Sequence, residues 1–159
     1  MNHTVYIGIG SNLGNREQNC QTAIDHLQAH PHVIVKAVSK WYETEAQTID
    51  SEEQPKFING AVKIVTDLQP EELLNFVKEV EHKMGRTISD ARWQPRTIDL
   101  DLLFYNNTFF ENHRLTIPHP QADKRSFVLE PLCDIDENLV HPIYKKTVKE
   151  LLNSRREKK

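Results

Sequence analysis

The stretch Arg92-Trp93-Gln94-Pro95-Arg96-Thr97-Ile98-Asp99-Leu100-Asp101-Leu102-Leu103-Phe104-Tyr105 is the one on which the reading of the whole chain turns. From Ile98 onward it alternates in the manner of a strand with one buried face. Ile98, Leu100, Leu102 and Phe104 are expected to point one way, and Asp99, Asp101, Leu103 and Tyr105 the other. Two carboxylates then stand side by side on one sheet face, roughly 6–7 Å apart at their Cα atoms. Like charges at that spacing raise one another's pKa unless a cation lies between them. Mg²⁺ is commonly held by one or two carboxylates together with substrate phosphate oxygens. Just upstream, Arg92 and Arg96 offer planar, two-pronged donors that suit phosphate. A metal site beside an anion site points to phosphoryl chemistry. The same residues also fit a solvated acidic face neutralised by its own arginines, and this segment alone leaves both readings open.

At 159 residues the chain is expected to form one domain, residues 1–159, with a core that needs no staples. A net charge of −3 supplies no basic field for nucleic acid or an anionic membrane. Cys20 and Cys133 lie far apart and without metal-ligand spacing, so they read as reduced thiols. No stretch reaches the apolar length of a membrane span and no signal-peptide pattern stands at the N-terminus, so the expected location is the cytoplasm. The basic tail Arg155-Arg156-Glu157-Lys158-Lys159 reads as a solvated end.

Val5, Ile7 and Ile9 alternate with Tyr6, Gly8 and Gly10 in a first strand, which leads into Ser11-Asn12-Leu13-Gly14-Asn15. A strand, a glycine-rich turn and a helix can cradle phosphate. Here the third glycine of the dinucleotide fingerprint is missing, and an ordinary tight connection fits as well. Asn15 and Gln18 suggest a capping box, and Cys20, Ala23, Ile24 and Leu27 form one helical stripe, ended by Pro31. A second strand is expected from about Val33 to Thr44, then a long polar connection from Glu45 to Lys56 of the kind that forms lids.

Phe57 to Thr66 reads as a third strand, with Phe57, Asn59, Ala61, Lys63 and Val65 on one face. An aromatic and an amide two apart can stack on a flat heterocycle and hydrogen-bond its edge, or can be edge-of-core packing. Pro70, Glu71 and Glu72 open a second helix whose stripe is Leu73, Phe76, Val77, Val80 and Met84, closed by Gly85. Glu81 falls on or beside that stripe and needs a partner, either a structural salt bridge or a ligand. Arg86, Arg92 and Arg96 bracket a loop that reads as an anion clamp or as a solvated basic loop. After the acidic strand, Asn106-Asn107 signals a hairpin with Thr108 to Glu111 as its return strand. His119, between two prolines and ahead of Lys124 and Arg125, is a candidate phosphate contact. Helices are expected over about Ser126 to Ile135 and near Thr147 to Ser154.

Taken together and in this order, these pieces resemble the family of 6-hydroxymethyl-7,8-dihydropterin pyrophosphokinases of folate biosynthesis. The resemblance rests on Ile9-Gly10-Ser11-Asn12-Leu13-Gly14, Gln54-Pro55-Lys56-Phe57-Ile58-Asn59-Gly60-Ala61-Val62, and Glu81 through Gly85-Arg86. It rests further on Arg92-Trp93-x-Pro95-Arg96-Thr97-Ile98-Asp99-Leu100-Asp101 and Pro118-His119-Pro120 through Arg125-Ser126-Phe127. It implies an α+β, ferredoxin-like fold: a mainly antiparallel sheet, helices packed on one face, and long active-site loops. It implies transfer of a diphosphate from ATP to the pterin's hydroxymethyl oxygen, with release of AMP, by an enzyme expected to be a monomer. On this resemblance Asp99 and Asp101 hold two Mg²⁺ ions, and Arg86 and Arg96 neutralise the moving diphosphate. Phe57 and Phe127 sandwich the pterin, Asn59 reads its edge, and Thr44 lies nearby. Glu81, Arg92, Trp93, Arg96, His119 and Arg125 contact the nucleotide.

Three positions depart from the family pattern. Ile88 stands where many relatives have a basic residue, Gln94 replaces a glycine, and Glu45-Ala46-Gln47-Thr48-Ile49-Asp50 lacks the usual proline and glycine. Two other readings compete. A nucleotidyltransferase would use Gly10-Ser11 with Asp99-x-Asp101, but these parts lie far apart in the chain. An RNA-binding module on a similar sheet would present aromatics within a basic surface, whereas here two acids occupy the central strand.

Overall fold

The computed structural model describes residues 2–44, 56–85 and 97–157. In chain order these form β1 (His3–Ser11), α1 (Arg16–Ala29), β2 (Val33–Val38), β3 (Tyr42–Thr44), β4 (Phe57–Thr66) and α2 (Pro70–Lys83). There follow β5 (Asp99–Tyr105), β6 (Phe110–Glu111), β7 (Thr116–Ile117), α3 (Ser126–Asp136) and α4 (Val148–Glu157). The main sheet runs β2-β4-β1-β5, with β3 also on β4, and every pairing is antiparallel. This is the α+β, mainly antiparallel arrangement expected of the chain.

The sheet has a core on each face. Val5, Ile7 and Ile9 of β1, with Ile58, Val62 and Ile64 of β4, pack against the stripes Cys20-Ala23-Ile24-Leu27 of α1 and Leu73-Val77-Val80 of α2. On the other face Tyr6, Ala61 and Leu103 pack against Leu129 and Leu132 of α3 and Val148, Leu151 and Leu152 of α4. Helices therefore cover both faces, where one covered face was expected. The cause is the C-terminal pair α3–α4, whose apolar residues supply a second layer.

Local chemistry sets the helix ends. The Asn15 side chain accepts from the Gln18 N–H at 3.2 Å, and Gln69 forms a capping box with Glu72 ahead of Pro70. Gly85 takes φ +108° just after α2, a conformation in which a Cβ is strained. Thr147 and Glu150 cap one another reciprocally at the start of α4, at 3.0 and 3.1 Å.

Three expected details differ. The alternation of β5 does not run unbroken: Tyr6 pairs with Phe104 and Ile7 with Leu102, so Leu103 is an extra residue in a β-bulge. The bulge reverses the phase beyond it. Phe104 joins Leu103 in the α3–α4 core, while Tyr105 turns into the α1–α2 core, with its hydroxyl donating to the Leu68 carbonyl. The expected strand from Val33 to Thr44 is two strands, because Trp41 folds over Gly60, where an added Cβ would sit 2.4 Å from the indole. Lastly, Asn106-Asn107 does make a turn, but the return segment pairs with β7 and not with β5. The outer edge of β5 is taken instead by the segment after β7, whose His119 N–H donates to the Leu103 carbonyl at 3.0 Å.

His141 is buried in the turn ahead of α4, its ring edge-on to Phe104, and its Nδ1 accepts the N–H groups of Ile143 and Tyr144 at 3.2 and 3.3 Å. Burial pushes the imidazole pKa down, with Asp123 pulling the other way. A lowered folded-state pKa gives stability that is complete above the ordinary value of about 6.5 and lost as pH falls below it. Thermal melts at about pH 7.5 and about pH 5.5 should therefore show an acid loss that shrinks in His141→Asn. An unchanged acid loss in the variant would remove His141 from it.

Candidate active site

The second helical layer stops partway along the sheet. Beyond Tyr6, β1 presents only Gly8 and Gly10 on that face, so the middle strand is bare. The register sets Gly10 between Asn59 on β4 and Asp99 on β5, and Gly8 between Ala61 and Asp101. Acids and amide thus face one another over a glycine floor two strand spacings wide, roughly 10 Å. A Cβ on Gly10 would meet the Asn59 Oδ1 at 2.9 Å and the Phe57 ring at 3.5 Å, so side chains there would fill the space.

The result is a cavity of about 150 Å³, lined by Gly8, Gly10, Thr44, Phe57, Asn59, Asp99, Asp101, Leu103, Arg125, Phe127 and Val128 among others. Arg125 and Phe127 come from the start of α3, with the guanidinium carbon 5.5 Å from the ring centre of Phe127. The Asn59 Nδ2 donates to Thr44 Oγ1 at 2.5 Å, a bond that orients the amide and turns its oxygen towards Gly10.

Asp101 is reached by solvent through the cavity, yet protein surrounds it on its other sides. That surrounding pushes its carboxyl pKa up, as does Asp99, while His119, Lys78 and Arg125 act to lower it. The His119 imidazole is pushed down by its own burial and by Arg125, against the pull of Asp101. His119 Nδ1 accepts from the Gln121 N–H at 3.1 Å, which leaves Nε2 to carry the proton of the neutral ring.

Among the described residues no cluster of three or more His, Cys, Asp or Glu side chains forms a metal cage. The donor set is a pair of carboxylates on a concave floor beside cationic side chains. Such a pair fits Mg²⁺, a hard cation that takes the rest of its ligands from water and substrate phosphates.

Thr44, Phe57, Asn59, Asp99, Asp101, Arg125 and Phe127 are thus brought to one cavity, as the sequence suggests. His119 interacts electrostatically with Asp101 but is not among the residues lining this cavity. Glu81 lies elsewhere: buried at 2% exposure, it accepts the Leu100 N–H at 2.7 Å and pairs with Lys78 at 3.3 Å. Arg86, Arg92, Trp93 and Arg96 lie outside the described residues, as do Ile88, Gln94 and nearly all of the lid-like connection from Glu45 to Lys56. Gly8 and Gly10 are site residues to which the sequence gave a place in the first strand but no role. The strand placement holds, and the signal for their role was their position on the phase opposite to Val5, Ile7 and Ile9.

No helix of the described residues is long and apolar enough to cross a membrane. Residues 6–137 match the family model for 7,8-dihydro-6-hydroxymethylpterin-pyrophosphokinase (HPPK). The chain is 44% identical over 135 residues to the 2-amino-4-hydroxy-6-hydroxymethyldihydropteridine pyrophosphokinase of Bacillus subtilis, covering 85% of this chain and 79% of the relative. It is 40% identical over 147 residues to the protein of the same name from Aquifex aeolicus, covering 92% and 89%. A crystal structure of wild-type Plasmodium falciparum HPPK-DHPS with pteroate superposes at a TM-score of 0.75 and 15% identity. That match covers 99% of this chain and only 45% of the longer one, so it speaks for the fold of the matched part. Sequence match, shared fold and the acid-and-aromatic cavity agree, and the chain belongs to the 7,8-dihydro-6-hydroxymethylpterin-pyrophosphokinase family.

Proposed function

We propose that this pyrophosphokinase takes its diphosphate from ATP, bound with Mg²⁺ over Asp99 and Asp101, and passes it to a pterin alcohol seated between Phe57 and Phe127. The observation that carries the reading is the glycine floor. It holds two acids on one side and an oriented amide with aromatic walls on the other, across a gap that suits a flat ring.

The residues divide the work by chemistry. Asn59, with one N–H spent on Thr44, keeps its carbonyl oxygen for the amino and ring N–H donors of a pterin edge. Phe57 and Phe127 hold the ring by stacking, which fixes where the exocyclic hydroxymethyl group lies. Arg125, stacked on Phe127, joins the acceptor wall to the phosphate side as a fixed positive charge. Asp99 and Asp101 would hold two Mg²⁺ ions, which when bound supply neutralisation of the triphosphate and polarisation of the reacting oxygens. His119 and Arg125 contact the nucleotide phosphates. Arg86 and Arg96 neutralise the diphosphate in flight, and Arg92 and Trp93 hold the rest of the nucleotide. Displacement at phosphorus needs this positioning and charge neutralisation more than it needs a protein nucleophile. The hydroxymethyl oxygen attacks the β-phosphorus and its proton passes to solvent, the bond from that phosphorus to the oxygen bridging the α-phosphate breaks, and AMP leaves with that oxygen.

Incubation with ATP, Mg²⁺ and 6-hydroxymethyl-7,8-dihydropterin should yield AMP and pterin diphosphate in equal amounts. Release of free pyrophosphate would instead indicate nucleotidyl transfer and overturn the reading. Phe127→Ala is expected to weaken pterin binding by about tenfold, the order of one aromatic stack on a heterocycle, with a much smaller change for ATP. Calorimetric titration of each ligand checks this, and equal losses would remove Phe127 from the acceptor wall.

A further inference from the structure

β3 is three residues long and, among the described residues, pairs with one neighbour, β4. So short an edge strand is weakly held by its own ladder. Yet it carries Thr44, opposite Phe57, and it fixes the amide of Asn59. Something outside the ladder has to keep it in register.

One end is held by α3: Asp134 accepts from the Tyr42 hydroxyl at 2.6 Å and from the Lys40 N–H at 3.2 Å. The other end is held by Arg16, the first residue of α1. Its guanidinium donates to the Lys56 carbonyl at 2.8 Å and pairs with the Glu43 carboxylate at 3.0 Å. Lys56 is the residue just before β4, and Glu43 is the middle residue of β3. A single planar fork therefore bridges the two chain segments immediately beside the Thr44–Phe57 pair.

The clasp sits behind the site. Glu43 pairs with Ile58, whose side chain belongs to the α1–α2 core, whereas Thr44, Phe57 and Asn59 point into the cavity on the opposite face. Arg16 is not among the residues lining that cavity, so it would act on its contents only through the backbone it holds.

We propose that Arg16 is a positioning residue for the acceptor subsite. It locks β3 against the start of β4, so that Thr44 and Phe57 meet a flat pterin in one geometry. This rests on the reading of the cavity as the pterin site.

The test is calorimetric titration of 6-hydroxymethylpterin into protein saturated with Mg²⁺ and α,β-methylene-ATP, and of that nucleotide alone, for Arg16→Met, Arg16→Lys and Glu43→Gln. Arg16→Met keeps the apolar stem and removes the fork. It should raise the pterin Kd about five- to tenfold, with nucleotide binding and Tm close to those of the wild type. Arg16→Lys, with a point charge but no fork, should fall between the two. Glu43→Gln combined with Arg16→Met should be no worse than Arg16→Met alone. An unchanged pterin Kd in Arg16→Met, while Phe127→Ala still weakens binding, overturns the role of Arg16 and leaves the subsite standing. No change in either variant overturns both. Equal losses for pterin and nucleotide together with a lowered Tm reduce Arg16 to a structural clasp and overturn the proposal.

Discussion

Asp99→Ala and Asp101→Ala are each expected to lower turnover by about a thousandfold, because several kcal/mol of metal-centred charge stabilisation goes with the carboxylate. Both residues face the cavity from an otherwise well-packed strand, and neither belongs to either core. The fold should therefore survive. Removing one acid also relieves the repulsion that helps to push the remaining carboxyl up at Asp101. The expected pattern is lost Mg²⁺-dependent activity with an unchanged circular dichroism spectrum and an equal or higher Tm. Near-normal turnover in either variant would end the metal assignment.

Glu81→Ala is expected to destabilise the protein by about 2–3 kcal/mol, a fall in Tm of roughly 5–10 °C for a chain of this size. Among the described residues β5 is the last strand of the sheet, and the N–H of Leu100 turns away from β1 to the Glu81 carboxylate. The Glu81 carboxylate does there what a neighbouring strand's carbonyl would do, at a position flanked by Asp99 and Asp101. Truncation leaves the Leu100 N–H buried and unsatisfied, and loosens the segment that aims both acids. Glu81→Gln retains an acceptor, so its Tm should fall less. Differential scanning calorimetry with ATP titration separates this from a nucleotide contact. If Glu81→Gln melts like the wild type but binds ATP poorly, the anchoring role is wrong.

Periodicity alone located β1, β4, α1 and α2, because each buries one face or stripe against a neighbour and the other positions are free to be polar or bare. The acid pair and the Phe57–Asn59 pair were legible for the same reason, since a two-residue repeat puts them on the cavity face. Legibility failed where both faces of the sheet are covered. Across Leu102-Leu103-Phe104-Tyr105 every position is apolar, so no pattern betrays the bulge at Leu103 or the reversal of phase after it. The same second layer, brought by α3 and α4, explains why one covered face was expected and two were found.

What the sequence determined by itself was local: which residues share a face, where helices begin, and that acids, an amide and aromatics were available for phosphate and pterin. Only the tertiary structure decided which strands became neighbours. That choice set Gly8 and Gly10 between acids and amide, gave the Leu100 N–H of β5 to Glu81, and brought Arg16 against Glu43 of β3. These pairings join residues far apart in the chain. They follow from the summed packing and hydrogen bonding of whole strands, which no short window of sequence contains.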